Sequence, residues 1–198
     1  MNSKTMMLFQ YVYKYFQVSL YFWLYLIKGL VVYSLVPTLS TLFLVLHDIN
    51  KGEDEEKSKD VKELFRGYYE TYTSYKLPSF IYTIIFILLY TSLFFVTIST
   101  SAFSLILLIL FIYMLVMALL MITYSTIYIT FKKMDVKMAN MHAFVAIIRN
   151  PIQSIALIMV FILLYLGADY NFAFFVIFGP FLYGLGVILS LAKLLKEE

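Results

Sequence analysis

The sequence predicts an all-α protein that is embedded in a membrane as a polytopic helical bundle. Of its 198 residues, 63% are hydrophobic and only 14% are charged. Soluble domains usually have about 45–50% apolar and about 25% charged residues. Two stretches almost free of charge, residues 77–131 and 150–192, are each long enough for two helices of about 20 residues, the length that crosses a bilayer. These observations argue strongly against a soluble globular fold.

Six membrane segments are expected along residues 1–198, which form a single domain. Hydropathy places these segments at about residues 15–35, 37–49, 78–98, 105–130, 151–168 and 172–192. A polar pivot around Ser101 separates the third segment from the fourth. A short turn around Asp169 separates the last two segments, and a basic tail with Lys193 and Lys196 ends the chain.

The first two segments are predicted to form a short helical hairpin. All but one of the 15 Lys and Arg residues lie at the N-terminus, in residues 48–76, in residues 132–149 or in the tail. Basic segments tend to stay cytoplasmic, so the first apolar stretch must cross an even number of times. This places both termini in the cytoplasm, with a bend near Ser34 to Pro37. The alternative is one long kinked helix, with five crossings and the N-terminus outside.

The second arm of this hairpin is short for a membrane crossing. Residues 37–49 reach only about 20 Å at 1.5 Å per residue, whereas the hydrocarbon core is about 30 Å thick. A re-entrant arm or a locally thinned bilayer therefore stays open. Pro37 fits the start of this arm, because a proline in the first helical turn loses no hydrogen bond.

Two amphipathic helices are predicted on the cytoplasmic side, over residues 61–76 and 138–148. Apolar residues recur there at spacings of three and four, with charged and polar residues between them. In the first helix these residues are Val61, Leu64, Phe65, Tyr68, Tyr72 and Tyr75. In the second they are Met134, Met138, Met141, Val145 and Ile148. A basic residue and a proline follow each helix, which suggests either an internal repeat or the ordinary way of re-entering a membrane.

The residue types exclude several functions. The chain has no cysteine and only two histidines, His47 and His142, so disulfides and thiolate chemistry are absent and nothing in the spacing supports a metal site. No nucleophile elbow, hydrolase triad or phosphate-binding loop occurs. The net charge of +3 is explained by topology, and no nucleic-acid binding is expected. We therefore expect a non-enzymatic protein without a cofactor.

Lys28 is the single basic residue inside an apolar stretch. An intramembrane charge is costly and is a functional candidate by default. Lys28 lies about 20 Å along its predicted helix, past the midplane, where its side chain can reach the outer interface. Snorkelling is the favoured interpretation, and an anion or partner site, with Asp169 on the same outer side, is the alternative.

Residues 20–43 resemble the opening of the YesL-like family of bacterial integral membrane proteins. In that family an aromatic-rich helix with tryptophan and glycine leads into a P-A-T-x-A-L-F-like segment. The matching residues are Trp23, Gly29, Pro37, Leu42 and Phe43, while Thr38 and Ser40 depart from the usual alanine and threonine. Residues 64–76 then resemble the aromatic and basic helix that follows in the family.

The resemblance implies a bacterial cell-membrane protein, typical of Gram-positive bacteria, with an accessory role in carbohydrate uptake. Members are often encoded beside the components of sugar ABC transporters. The expected partners are the lipid bilayer and a permease or ATPase subunit of such a transporter, and a homo-oligomer is left open. The family has no defined site residues. Candidate partner-contact or interfacial residues are Phe65, Tyr68, Tyr72, Lys28 and Pro37, and the alternative function is a small autonomous transporter or channel.

Overall fold

The computed structural model describes residues 3–51, 60–98 and 103–192, and these residues form eight α-helices. In chain order the helices are α1 (Ser3–Lys28), α2 (Leu35–Lys51), α3 (Val61–Tyr72), α4 (Lys76–Ile98), α5 (Ser104–Phe131), α6 (Val136–Arg149), α7 (Pro151–Tyr170) and α8 (Phe172–Ser190). A short 3-10 turn, Thr73–Tyr75, joins α3 to α4. The predicted pivot around Ser101 and the basic tail lie outside the described residues.

Four helical stretches of this part of the chain are long and apolar enough to cross a membrane. They are Val61–Ile98, Ser104–Phe131, Pro151–Tyr170 and Phe172–Ser190. In the first of these the charge-free part lies in α4, because α3 carries four charged residues. The all-α class is confirmed, but α1 and α2 do not meet the same criterion. The described residues therefore contain four long apolar helices, and the predicted count of six membrane segments is not confirmed.

The α1–α2 turn lies beside the beginning of α4. Thr83 Oγ1 donates to the Val32 carbonyl oxygen at 3.5 Å, and the rings of Tyr33 and Phe80 stack at 5.8 Å. Since α4 continues to Ile98, the turn falls about 22 Å short of its far end at 1.5 Å per residue. The bend occurs at residues 29–34, slightly before the predicted position.

α2 runs antiparallel to α3 and α4. Its first turn lies beside Ser79, whose Oγ accepts a hydrogen bond from the backbone N–H of Val36 at 3.0 Å. Its last turn lies beside α3, where Tyr68 donates to Asp48. This first turn also contains Pro37, which is buried at the third residue of the helix. Its N–H group would have no partner within the helix, so proline costs nothing there.

α2 is the central helix of the bundle. All residues from Val36 to Phe43 are buried, as are Val45 and Leu46. α2 contacts α1, α3, α4, α5 and α8. α8 approaches α2 closely at Gly184, where a Cβ atom would overlap the side chain of Leu46 and would lie 3.2 Å from Leu42 Cγ. A glycine at this position therefore lets two backbones approach closely, as small residues commonly do between membrane helices.

α5 has two different halves. None of residues 103–119 is buried, and they are almost entirely apolar. From Leu120 to Thr130 nearly every side chain is buried, and this half contains the polar sequence Thr123-Tyr-Ser-Thr126. The buried half packs beside α2, since the His47 and Phe131 rings lie 5.1 Å apart. We call this end of the bundle, where α2 and α5 end and α4 and α7 begin, the basic end.

Candidate functional site

The aromatic residues of α3 attach this helix to the rest of the bundle. Asp60 caps its first turn by accepting a hydrogen bond from the Lys62 backbone N–H at 3.3 Å. Phe65 is fully buried, with its ring 5.3 Å from that of Tyr25 and 6.2 Å from that of Tyr21. The outward side of α3 carries charges instead. In α3 the side chains of Val61, Phe65 and Tyr72 are thus buried, while the four charged residues are exposed.

This packing changes the role expected for two candidate residues. Phe65 and Tyr72 are 0% and 3% exposed, so their side chains contact other parts of the same chain. Tyr68 is half-buried. A partner protein approaching α3 meets the charged side chains of Lys62, Arg66 and other outward residues first. Both side chains therefore pack within the chain, and their expected role as partner-contact or interfacial residues stays a prediction.

Tyr68 and Asp48 join α3 to the end of α2. The Tyr68 hydroxyl donates to Asp48 Oδ2 at 2.5 Å, and His47 Nδ1 lies 3.9 Å from Asp48 Oδ1. Burial, followed by the hydrogen bond to Asp48, raises the pKa of Tyr68 to about 12. The Tyr68 hydroxyl therefore keeps its proton, and can donate to Asp48, at a higher pH than an ordinary tyrosine.

Tyr72 and Lys133 join α3 to the end of α5. The Tyr72 hydroxyl donates to the Thr130 carbonyl oxygen at 3.2 Å and accepts from Lys133 Nζ at 2.6 Å. Lys133 has a φ of 53°, in the left-handed region that is uncommon for residues other than glycine. This conformation ends α5 and turns the chain towards α6. The Tyr72 and Tyr68 contacts fix the relative positions of α2, α3 and α5 at the basic end.

Lys28 lies at the end of α1 and is exposed. Its Nζ atom is 5.4 Å from the centre of the Tyr25 ring, a cation–π distance. Asp169 is exposed at the end of α7. Within the part of the chain that the structure describes, no ion pair joins Lys28 to Asp169. Pro37 is buried and has a structural place in α2.

A contact between Trp23 and α8 was not anticipated from the sequence. Pro180 lies inside α8 and has no N–H, so it cannot bond the carbonyl oxygen of Val176 four residues earlier. Trp23 Nε1 donates to that oxygen at 2.7 Å, and the Phe181 N–H donates to Ser19 Oγ at 3.2 Å. Two side chains of α1 thus supply hydrogen-bond partners for the backbone groups beside the proline. Unpaired backbone groups are costly in lipid.

The sequence contained a usable signal for this contact. An intrahelical proline in an apolar segment requires a polar partner for the freed carbonyl group, and the chain has a single tryptophan. The sequence could not show that Trp23 pairs with Val176, because these residues lie 153 positions apart.

Several fully buried hydroxyls lie along α2 and α5, and we call them together the hydroxyl core. It consists of Thr38 and Ser40 on α2 and Thr126 and Thr130 on α5, each 0% exposed. Their hydroxyl oxygens have no hydrogen-bond partner among the described residues. Nearby hydroxyls are paired, for example Thr123 with Tyr183 at 2.8 Å. Buried polar groups usually have partners, so unpaired ones suggest a place for water or another small polar molecule.

The described residues do not form a centre with evident catalytic chemistry. Within residues 3–51, 60–98 and 103–192, no group of three or more His, Cys, Asp or Glu side chains could hold a metal ion. His142 is exposed, with its ring 5.8 Å from that of Tyr128.

Searches with protein-family models, curated proteins and solved structures find no match to this chain. The resemblance to the YesL-like family therefore rests on the quoted residues alone.

Proposed function

We propose that the chain is a cell-membrane protein with four transmembrane helices, α4, α5, α7 and α8, and that α1 and α2 form a re-entrant hairpin. Two observations support this topology, and one opposes it: Trp23 of α1 bonds Val176, which lies only about 6 Å from the outer end of α8. The α1–α2 turn packs against residues near the start of α4, and α2 has 17 residues, about 25 Å in length. Four crossings keep all basic segments, including both termini, in the cytoplasm.

Single cysteines test this topology directly, because the chain has none of its own. We would introduce Tyr33→Cys in the α1–α2 turn and, as a control, Tyr170→Cys between α7 and α8; these side chains are 45% and 93% exposed. A membrane-impermeant maleimide added outside intact cells is expected to label Tyr170→Cys only. External labelling of Tyr33→Cys would instead establish a hairpin that crosses fully.

We further propose that this protein is a non-enzymatic accessory or regulatory factor for carbohydrate import. The observation that carries this proposal is the outward side of α6. Ala139, Ala143 and Ala146 are buried, and α6 packs against α5. Large apolar side chains point outward and are 45–65% exposed: Met138, Met141, Phe144, Val145 and Ile148.

The proposed occupant of this surface is the membrane subunit of a sugar importer. Basic residues flank α6, with Lys132, Lys133 and Lys137 at its start and Arg149 at its end, and the one acidic residue among them is Asp135. An apolar strip with basic ends suits a partner that is itself in the membrane and carries acidic groups at the cytoplasmic interface. The specific link to carbohydrate comes from the family resemblance.

Affinity purification of the tagged, full-length protein from its native membranes in mild detergent tests this role. We expect an importer permease or its ATPase to co-elute in near-equal amounts. A Met141→Ser and Phe144→Ser double variant should lose the partner, whereas Ile152→Ser, at an exposed position of α7, should retain it. Purification of the protein without an importer subunit, or equal recovery with the double variant, would contradict the proposal.

The hydroxyl core favours a second candidate function, a small autonomous transporter. Unpaired hydroxyls of α2 and α5 could bind a small polar solute or ion between the central helices. The test is flux of sugars and ions into liposomes that contain the purified protein. Flux that is reduced by Ser40→Ala and Thr126→Val would support a transporter, and impermeable liposomes would remove this candidate.

A further inference from the structure

A cavity of about 260 Å³ lies between six helices of the bundle. Each helix contributes to its wall: Trp23 from α1, Leu39 from α2, Phe86 from α4, Leu119 from α5, Phe161 from α7 and Tyr183 from α8. Leu35 and Leu39 belong to the first half of α2, so the α1–α2 hairpin forms one side of the cavity. We call this space the apolar chamber.

The wall of the chamber presents no polar surface. Two lining residues carry polar groups, and both groups are already bonded elsewhere. Trp23 Nε1 donates to Val176, and the Tyr183 hydroxyl pairs with Thr123. A water molecule or a sugar inside would lose hydrogen bonds without replacement, and cavities of this kind stay dry. The chamber is therefore suited to an apolar occupant.

The size and surroundings of the chamber indicate which apolar occupant fits. An apolar cavity of about 150 Å³ holds benzene, so about 260 Å³ accepts a longer aliphatic group. The helices that form the wall also expose apolar side chains on their outer surfaces, such as Leu88 of α4 and Leu163 of α7. In a membrane these surfaces contact acyl chains, which are the most concentrated apolar groups near the chamber.

We propose that the apolar chamber binds one acyl chain of a bilayer phospholipid. The acyl chain enters from the surrounding lipid and fills the space between the α1–α2 hairpin and the long helices. This binding rests on the membrane location of the protein and is independent of its proposed role in carbohydrate import. An occupied chamber also supports Trp23 in the position where it bonds the open carbonyl group of α8.

The chain's single tryptophan, Trp23, is a built-in reporter for this proposal because it lies in the chamber wall. We would reconstitute the full-length protein into vesicles of phosphatidylcholine with either plain or brominated acyl chains and measure tryptophan fluorescence. Bromine quenches an indole ring only on close approach. We expect strong quenching by the brominated lipid, because a lipid chain lies against Trp23.

Two matched variants separate chamber lipid from lipid around the protein. Leu164→Phe adds volume inside the chamber, and Leu163→Phe makes the same change at the neighbouring position, which is 63% exposed. We expect at least a twofold loss of quenching in Leu164→Phe and wild-type quenching in Leu163→Phe. Absence of quenching in the wild type, or equal quenching in all three proteins, would overturn the proposal. Circular dichroism and gel filtration verify that both variants are folded.

Discussion

The α1–α2 and α4–α5 hairpins differ in how much of their surface is buried inside the bundle. In the first hairpin, ten of the 17 residues of α2 are buried. In the second, Leu89 is the one buried residue among residues 84–98 and 103–119. The more apolar part of the bundle, the outer halves of α4 and α5, is thus the more exposed one. In lipid an exposed apolar side chain costs nothing, so hydropathy identifies lipid-facing surfaces while Ser and Thr hydroxyls and close packing mark the core.

The largest expected effect comes from truncating the aromatic contact that attaches α3 to the α1–α2 hairpin. Phe65→Ala should lower the free energy of unfolding by about 3–5 kcal/mol, because it removes a fully buried ring and leaves a cavity. The measurement is the unfolding midpoint in detergent micelles. The matched control, Phe144→Ala, changes a ring that is 51% exposed and should cost about 0.5 kcal/mol or less. Equal losses of stability in Phe65→Ala and Phe144→Ala would mean that the buried aromatic contact does not hold α3 in place.

This comparison explains which parts of the fold the sequence could predict. Long charge-free segments identified α4, α5, α7 and α8 within about two residues, because lipid exposure requires continuous apolar sequence. The same signal located α2 within two residues but did not indicate which helices α1 and α2 pack against. Their packing against α3, α4 and α8 depends on long-range partners such as Ser79 for Val36 and Trp23 for Val176, and single-residue patterns do not encode such pairings.

The candidate site was only partly predictable for a related reason. Spacing predicted an apolar side for the helix at residues 61–72, yet spacing alone cannot tell whether that side contacts a partner or the same chain. The structure assigns it to the chain itself. The apolar chamber was not predictable, because its wall combines residues from six helices.

The next effect concerns the close approach of α8 to α2. Gly184→Val should destabilise the protein by about 1–3 kcal/mol, because the new side chain would overlap Leu46 and press on Leu42, both of which are fully buried. The unfolding midpoint in micelles measures this effect. Gly167→Ala is the control: a Cβ there meets nothing within 4 Å, so this change should be neutral or slightly stabilising. A neutral Gly184→Val would contradict the close packing of α2.

A smaller effect is expected at the proline kink, where α1 substitutes for a missing helical hydrogen bond. Trp23→Phe should cost about 1 kcal/mol, since hydrogen bonds between membrane helices are worth about 0.6 kcal/mol on average and up to about 1.7. In a Pro180→Ala background, the restored N–H can bond Val176, and the cost of Trp23→Phe should fall. A double-mutant cycle of unfolding free energies measures this coupling. An unchanged cost would show that Trp23 contributes packing alone.

The smallest effect tests the contact between α3 and the end of α2 by its pH dependence. Because the pKa of Tyr68 rises to about 12 from its usual 10, the folded chain keeps this proton between those pH values while the unfolded chain loses it. The folded state then binds more protons, so this contribution is complete below pH about 10 and disappears as the pH rises towards 12. Tyr68→Phe should therefore lose less stability than the wild type over this range. Tyr170→Phe, at a position that is 93% exposed, should follow the wild type. If Tyr68→Phe also followed the wild type, the Asp48 contact would not persist in solution, and the attachment of α3 would depend on Phe65 and Tyr72 alone.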